Sequence, residues 1–345
     1  MSALVIPVFI PHQGCPHRCV FCDQVSITGQ AEMRQKGQSA DSGEVKETVE
    51  QWLKRPRKKE RDKVQVAFFG GSFTGLPLPK QKELLGTVRP YIVAGLVDSI
   101  RISTRPDYID DTIITLLKDY CVSTVELGVQ SLDKRVLDVN ARGHSAQQSV
   151  TAIRQLKQSG FSVGVQLMCG LPGDSTARLM KTTKRVAELA PHFVRIYPAL
   201  VIKGSGLEQL YLDGKYAFLP LAKAVALCCR MKTVFEEHNI KVIRMGLQPS
   251  EEFAEKVVAG PYHPSFGELV VSRCLFNKAR KVLYKSKKTQ AKRLSIAAAD
   301  ESAFRGQNNV NMKRLAALGL LKNTELVFDS EQARNSVLLC GQAKG

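Results

Sequence analysis

Long hydrophobic runs are absent from this sequence. No stretch approaches the roughly 20 apolar residues of a membrane span, and residues 1–10 lack the basic start and the long apolar core of a signal peptide. No internal repeat or low-complexity tract is present either. Because 44% of the 345 residues are hydrophobic, the chain can bury a large core. We therefore expect a globular, cytoplasmic protein with no membrane partner.

A framework of paired cysteines is also missing. The nine cysteines are an odd number, and six of them are scattered, mostly within apolar runs. We interpret these six as small buried side chains: Cys121, Cys169, Cys228, Cys229, Cys274 and Cys340. An odd count without framework spacing argues against a secreted, disulfide-bonded protein and favours reduced thiols.

Acidic residues are scarce relative to basic ones. The chain has 32 Asp and Glu against 50 Lys and Arg, which gives a net charge of +18 and a pI near 9.6. Residues 54–63 and 278–293 hold the two densest basic runs. Either run alone can be a solvated face. Together with the total charge they favour a polyanionic partner, because each neutralised phosphate releases counterions. RNA, with tRNA as the candidate, is the partner we expect.

The three remaining cysteines form a compact cluster behind the first apolar run. Cys15, Cys19 and Cys22 are spaced as Cys-x3-Cys-x2-Cys. Three thiolates this close in the chain can hold three irons of a 4Fe-4S cluster, which leaves the fourth iron open to a substrate or cofactor. A structural zinc site is the alternative, since Cys19 and Cys22 form a Cys-x2-Cys pair and His17 lies ahead of it. The spacing favours the cluster and leaves the zinc site open.

Strand and helix signals alternate over the first 200 residues. Apolar, β-branched runs predict six strands at residues 3–10, 64–69, 97–103, 122–129, 161–168 and 193–197. Helical patterns alternate with these strands, which gives six β-then-α units in succession. Such β-then-α units imply parallel strands joined by right-handed crossovers, in either a barrel or a doubly wound sheet.

The placement of unusual residues favours the barrel. Just past the carboxyl ends of five successive predicted strands lie Cys15, Gly70-Gly71, Thr104-Arg105, Gln130 and Gly170-Leu171-Pro172. Barrel enzymes gather their active sites at that end, whereas a sheet with one switch point has no need of special residues after five strands. We predict a barrel domain over residues 1–246 and a small basic α/β extension over residues 247–345.

The cysteine run and the strand-end motifs resemble those of the radical S-adenosylmethionine superfamily, whose signature includes an aromatic residue before the last Cys, here Phe21. The likeness covers roughly residues 5–200 and is greatest to the radical domain of the Elongator catalytic subunit, with a more distant likeness to oxygen-independent coproporphyrinogen oxidases. The motifs that carry it occur in order at residues 69–74 (FGGSFT), 103–108 (STRPDY), 125–131 (VELGVQS) and 142–144 (RGH).

The resemblance implies a fold, two cofactors and a chemistry. The fold is a partial (βα)6 TIM-type barrel. The cofactors are a 4Fe-4S cluster on Cys15, Cys19 and Cys22, and S-adenosylmethionine bound at the open iron. In this superfamily, reductive cleavage of S-adenosylmethionine gives a 5′-deoxyadenosyl radical that abstracts a hydrogen atom from the substrate. An electron donor such as ferredoxin or flavodoxin is then required.

The resemblance also implies residues that bind the cofactors. Gly70 and Gly71 would let the backbone approach the methionine amino group, because they lack a Cβ. Gln130 and Arg142 match polar positions for the ribose and the carboxylate. The other matched positions are Thr104, a cofactor contact, Gln166, where an acidic ribose ligand is common, and Phe9 and Phe21, which would pack against the cluster and the adenine.

Three further residues have two interpretations each. Glu126 and Arg105 lie near strand ends, where a charged side chain either has a catalytic or cofactor-binding role or forms a buried ion pair. His144 is either a proton carrier or a capped surface residue. The sequence names no catalytic residue among them.

Two departures from the Elongator pattern limit what the resemblance implies. The first two cluster cysteines are more widely separated in that family, and residues 247–345 leave too little room for its acetyltransferase domain. We expect an Elongator-like radical enzyme without that domain, acting on RNA. Two alternatives stay open. One is a radical enzyme acting on a small molecule such as a tetrapyrrole, and the other is a non-enzymatic, zinc-containing RNA-binding protein.

Overall fold

Seven parallel strands form the main sheet of the protein. The computed structural model describes residues 4–10, 15, 19–22, 41–55, 63–286 and 292–341. The sheet consists of β1 (Leu4–Phe9), β2 (Val64–Phe69), β3 (Ser99–Thr104), β4 (Val122–Gln130), β5 (Ser162–Cys169), β6 (Phe193–Pro198) and β8 (Lys241–Met245). The short strand β7 (Val201–Ile202) lies outside this sheet. Every neighbouring pair in the sheet is parallel.

The order of the strands decides between the two predicted architectures. Neighbours in the sheet follow one another in the chain from β1 to β8, with no reversal. A doubly wound sheet reverses its strand order at a switch point, so the crossovers of this sheet all proceed in one direction. The sheet is a curled half-barrel, which confirms the predicted partial TIM-type barrel. The strand β8 extends the six predicted strands to seven.

Helices follow the strands, and side-chain caps begin several of them. Asp110, Asp133, Ser145 and Ser175 each accept a hydrogen bond from the backbone N–H three residues on, as good N-caps do. The helices are α1 (Ser42–Leu53), α2 (Leu78–Val93), α3 (Asp111–Asp119), α4 (Lys134–Val139), α5 (Ala146–Gln158), α6 (Thr176–Glu188), α7 (Gly206–Leu212), α8 (Leu221–Glu237), α9 (Glu251–Lys256), α10 (Phe266–Lys285), α11 (Glu301–Arg305) and α12 (Val310–Ala317).

Alternation along the strands separates two faces of the sheet. Ile102, Val125 and Val163 are fully buried, and they alternate with a row of residues that runs across four strands. The row consists of residues that pair across neighbouring strands: Ser103 of β3, Glu126 of β4, Gly164 of β5 and Phe193 of β6. Because successive side chains of a strand point to opposite faces, the row shares the face opposite the apolar one.

The chain divides into two compact units. Residues 1–220 and 234–262 form the first, and residues 221–233 and 263–345 form the second. The first unit also contains an antiparallel pair of β7 with β9 (Val257–Ala259). The predicted boundary between residues 246 and 247 stays a prediction. None of the helices in the described ranges combines the length and the apolar character of a membrane span.

The second unit has its own sheet and core. Its central strand β10 (Lys292–Ala297) pairs in parallel with β11 (Thr324–Asp329) and antiparallel with β12 (Val337–Gly341). Helices α10, α11 and α12 supply the apolar side chains that cover this sheet. The fully buried members of the core include Leu275, Phe276, Leu294, Ile296, Phe304 and Leu315.

Replacing Gly164 with Ala is expected to lower the free energy of unfolding by about 1–3 kcal/mol, because the added methyl group overpacks the site. A Cβ at this position would lie 2.2 Å from Cε2 of the Phe193 ring. Gly86→Ala is the matched control, since its nearest neighbour would be Tyr120 at 3.8 Å and Ala favours helix α2 by roughly 0.5–1 kcal/mol. Urea denaturation measures both changes. Equal stability of the two variants would contradict this packing.

Candidate functional site

The described residues of the cysteine run, 15 and 19–22, are here called the cysteine segment. Arg142 joins Cys19 of this segment to Gly128, near the carboxyl end of β4. Cys19 is buried, and Cys15 and Cys22 are half-buried. Within the described residues, no three His, Cys, Asp or Glu side chains come close enough together to form a metal site. His17, the fourth ligand of the zinc alternative, lies outside the described residues. The role of the three cysteines as ligands therefore stays a prediction.

Two backbone hydrogen bonds fix the second half of the cysteine segment. The amide of Val20 donates to the carbonyl oxygen of Asn140 (3.2 Å), and its carbonyl oxygen accepts from the amide of Leu207 (2.7 Å). The backbones of Gly206 and Val20 are in close contact, since a Cβ on Gly206 would lie at an ordinary van der Waals distance of 3.4 Å from the Val20 backbone. The apolar side chains that pack around the segment include Phe21, Val136, Leu171, Val201, Leu207 and Tyr216. The segment is thus attached to two distant parts of the first unit.

Arg142 connects the cysteine segment to the strand ends. Its Nη1 donates to Sγ of Cys19 (3.1 Å), and its Nη2 donates to the carbonyl oxygen of Gly128. The guanidinium carbon lies 6.0 Å from the centre of the Phe21 ring. The structure therefore brings together three predicted site residues, Arg142, Cys19 and Phe21. A cation beside a sulfur atom stabilises negative charge on that sulfur.

His144 holds Arg142 in place. Its Nε2 accepts a hydrogen bond from Nε of Arg142 (3.3 Å), and its Nδ1 lies 3.4 Å from the hydroxyl of Ser149. Burial and the charge of Arg142 lower the pKa of His144 to about 4. His144 is buried, so it is not the surface residue considered above. Its hydrogen bond to Arg142 gives it a positioning role.

Arg105 lies close enough to Cys15 for its charge to act on the thiol, and one of its hydrogen-bond donors is unused. It forms a bidentate pair with Asp107 (3.0 and 2.8 Å) and donates to the carbonyl oxygen of Arg142 (2.6 Å). Among the described residues, its buried Nη1 has no hydrogen-bond partner. Burial raises the pKa of the Cys15 thiol, and the charge of Arg105 opposes that rise. A buried guanidinium with a spare donor favours an anionic group at this position.

Thr104 anchors the turn that contains the two predicted glycines. Gly70 has a φ of +100°, which a residue with a side chain rarely adopts. Beyond it, the Thr104 hydroxyl oxygen lies 3.0 Å from Oγ of Ser72 and 2.6 Å from Oγ1 of Thr74. The Ser72 hydroxyl also accepts from the amide of Arg105 (3.3 Å). This network joins the turn to β3, and the predicted cofactor contact of Thr104 stays a prediction.

Two glutamines meet at the ends of β4 and β5. Nε2 of Gln166 lies 3.4 Å from Oε1 of Gln130. Gln130 has a φ of +64°, and the pairing of β4 with β5 shifts register before it. A non-glycine residue in this region is strained by about 1–3 kcal/mol, and such residues concentrate at functional sites. Both glutamines were predicted site residues, and the structure places them side by side.

Gly128 is a site residue that the sequence reasoning missed. A Cβ on Gly128 would lie 3.2 Å from Nε2 of Gln130 and 3.4 Å from Nη2 of Arg142. A methyl group there would therefore press on the Gln130 amide, whereas its distance to Arg142 would be an ordinary van der Waals contact. The available signal was its place two residues before Gln130 in a strand-end motif.

A charged cluster lies on the face that carries the Glu126 row. The Glu126 carboxylate pairs with Arg101 of β3 and with Arg195 of β6, the latter at 3.1 Å. Both guanidinium groups also lie over the Phe69 ring, at 6.0 and 5.5 Å. Burial, and then the charge of Arg195, lower the pKa of Arg101 to about 9. Of the two interpretations of Glu126, the structure shows the buried ion pair.

Phe9 and the basic runs complete the predicted set. Phe9 is 41% exposed at the end of β1, with its ring 6.3 Å from that of Phe69. Most of the first basic run, residues 56–62, and the centre of the second, residues 287–291, lie outside the described residues.

Asp174, just beyond the turn after β5, makes stability depend on pH. Burial raises the pKa of its carboxyl to about 6. The folded chain then binds this proton more tightly than the unfolded chain, whose pKa is near 3.9. The stabilisation is therefore fully present below about pH 4 and is lost as pH rises through about 6.

We expect wild type to lose on the order of 1 kcal/mol of unfolding free energy between pH 5 and 7 that Asp174→Asn does not lose. Urea denaturation at pH 5, 6 and 7 measures the difference. Asp119→Asn, at an exposed carboxyl, is the control and should follow wild type. Parallel pH profiles for wild type and Asp174→Asn would contradict this assignment.

Comparison with protein-family models identifies two regions. Residues 9–186 match the model of the radical SAM superfamily, and residues 191–275 match that of the Radical_SAM C-terminal domain. The first match alone covers more than half of the chain and includes all three cysteines.

The similar proteins include two from the genus Methanocaldococcus. An uncharacterized protein of Methanocaldococcus jannaschii is 28% identical over 256 residues, which cover 72% of this chain and 76% of that protein. The tRNA uridine(34) acetyltransferase of Methanocaldococcus infernus is 27% identical over 300 residues, 77% of this chain and 55% of that enzyme. The chain thus spans about half the length of this enzyme.

A solved structure shares the fold. The archaeal Elp3 of Methanocaldococcus infernus, with an N-terminal deletion, superposes with a TM-score of 0.59 at 22% identity. The superposition covers 83% of this chain and 64% of that one.

Proposed function

This chain belongs to the radical S-adenosylmethionine superfamily, and from that premise we propose that it modifies a nucleotide of tRNA. The observation that carries the substrate class is the likeness to a tRNA uridine(34) acetyltransferase over 77% of this chain. The net charge of +18 agrees with a polyanionic substrate. Acetyl transfer is not part of the proposal.

The residues at the strand ends fit the two cofactors of the superfamily. Three thiols supply the soft ligands that iron–sulfur clusters take. The unused Nη1 of Arg105 and the Nη1 of Arg142 on Cys19 supply the positive charge that an anionic cluster or carboxylate needs. The fit rests on this donor set.

Each residue would then have a defined task. Cys15, Cys19 and Cys22 would hold the cluster, with Arg142 stabilising the charge on Cys19. Gln130 and Gln166 offer amide groups for ribose hydroxyls, and the turn at Gly70 and Gly71 offers backbone groups for the methionine end. Bound there, the cofactors supply hydrogen-atom abstraction from the substrate.

The proposal includes an electron source and a compartment. Reduction of the cluster requires a one-electron donor, for which a ferredoxin or a flavodoxin is the candidate. None of the eight described cysteines forms a disulfide, which agrees with a reducing compartment and supports the cytoplasm.

Anaerobic incubation of the reconstituted chain with dithionite and S-adenosylmethionine tests the proposal. Added bulk tRNA is expected to increase 5′-deoxyadenosine and to yield a nucleoside of new mass in the digested tRNA. An equal amount of 5′-deoxyadenosine with and without tRNA, and no new nucleoside, would remove tRNA as substrate and leave the superfamily assignment intact. The same incubation with RNA omitted and a tetrapyrrole supplied tests the small-molecule alternative. The comparisons favour neither that alternative nor the zinc-binding one.

A further inference from the structure

Three arginines of the second unit surround a single aromatic ring. Arg273 and Arg280 of α10 and Arg314 of α12 have their guanidinium carbons 5.8, 5.8 and 4.2 Å from the centre of the Phe276 ring. Spacings of three and four residues put Arg273, Phe276 and Arg280 on one face of α10. We call these three arginines the arginine cluster.

The arginine cluster lacks neutralising partners. No ion pair or hydrogen bond joins its members to a carboxylate within residues 263–286 and 292–341, and the buried Nε of Arg273 has no hydrogen-bond partner there. Other arginines of the same unit differ, since Arg293, Arg305 and Arg334 pair with Glu325, Glu301 and Asp300. Three like charges are thus held close together, and residues 263–286 and 292–341 supply no counter-charge that pairs with them.

Mutual repulsion is visible at Arg314. Burial, and then the charges of Arg273 and Arg280, lower the pKa of its guanidinium. Arg280 and Arg314 are both exposed, so an anion from solution can reach them. An anion shared by the cluster would relieve the repulsion and use donors that lack acceptors.

The composition of the unit indicates which anion. Residues 263–345 contain 15 Lys and Arg against 6 Asp and Glu, which gives a net charge of +9, half that of the chain. Guanidinium groups match phosphate oxygens in a bidentate geometry. Phe276 is 1% exposed, so its ring is not available for stacking on a base. The contacts would therefore go to phosphates and carry no sequence information.

We propose that Arg273, Arg280 and Arg314 bind backbone phosphates of RNA and dock it on the second unit. This inference rests on the tRNA-modifying function proposed above, and it locates part of the binding surface. Two of its three residues, Arg273 and Arg314, lie outside the dense basic runs of the sequence.

The test is the binding of bulk tRNA to the full chain by fluorescence anisotropy across a salt series. The Arg280→Gln/Arg314→Gln double variant is expected to bind about 10-fold more weakly, and the slope of log affinity against log salt should fall by about 2. Lys184→Gln/Arg185→Gln, which removes the same charge from exposed positions on α6, is the control and should stay within about 2-fold of wild type. Thermal melts confirm that both variants are folded.

The possible outcomes separate the two proposals. If the cluster variant binds tRNA as tightly as the control variant, or if an acidic polypeptide displaces tRNA from wild type at equal charge concentration, docking on the cluster is overturned. 5′-Deoxyadenosine formation without RNA should be unchanged in the variant. Loss of that basal activity in a folded variant would place the cluster in the radical site and also overturn the docking role. If wild type modifies no tRNA, the proposed function fails, whatever the cluster binds.

Discussion

In Cys19→Ser, the rate of 5′-deoxyadenosine formation is expected to fall more than about 100-fold. Loss of a residue that only hydrogen-bonds a metal ligand typically costs about 10–100-fold, and the loss of a ligand itself should cost more. Cys19 is the buried member of the three cysteines, and its sulfur accepts a hydrogen bond from Arg142. The iron content of the variant should be lower than the four irons per chain expected in the reconstituted wild type, and its absorbance near roughly 400 nm should be weaker.

Two further variants make this expectation specific. Cys121→Ser changes an exposed thiol and should keep full activity and iron content. Arg142→Gln retains the three cysteines and removes the guanidinium beside them together with its hydrogen bonds, so its loss should lie between about 10- and 100-fold. Full iron content and activity in Cys19→Ser would exclude the cluster assignment. Four irons in wild type, as opposed to one zinc, would exclude the zinc alternative.

Glu126→Gln is expected to lower the free energy of unfolding by about 3–5 kcal/mol, because it leaves two buried guanidinium groups without their counter-charge. The exposed fractions of the three side chains are 10% for Arg101, 15% for Arg195 and 5% for Glu126. Water cannot replace the lost carboxylate at such burial. Chemical denaturation with urea measures the change.

An exposed pair of the same chemistry is the control. Arg293 and Glu325 also form an ion pair, with exposed fractions of 53% and 57%. Glu325→Gln should therefore change the free energy of unfolding by no more than about 1 kcal/mol. If both variants lose the same free energy of unfolding, burial does not explain the contribution of the Glu126 cluster to stability.

Much of the sheet was predictable because its strands are parallel and buried. Such strands are apolar, β-branched runs, and the run at residues 64–69 predicted β2 to the residue. Short elements were missed. The helix α7 (Gly206–Leu212) begins with glycine, and its position depends on contact with Val20. The strand β12 (Val337–Gly341) is defined by its pairing with β10, which no local pattern reports.

The site shows the same division between local and distant signals. The cysteine spacing and the strand-end motifs are local, so they predicted Cys19, Gln130 and Arg142 as site residues. The hydrogen bond between Arg142 and Cys19 joins residues 123 positions apart, and only the fold shows it. Glu126 illustrates the limit. Its two interpretations differ in whether arginines of β3 and β6 reach it, and sequence spacing cannot report that.

The attachment of Val20 to Leu207 has a consequence for how the protein is made. The cysteine segment is synthesised near the start of the chain, yet one of its two anchoring hydrogen bonds comes from a helix that begins at residue 206. The nascent chain cannot complete that bond until residue 207 has left the ribosome. Iron delivered before that point would meet thiols whose segment lacks this anchor, so we expect the predicted cluster to become stable only after residue 207 has emerged.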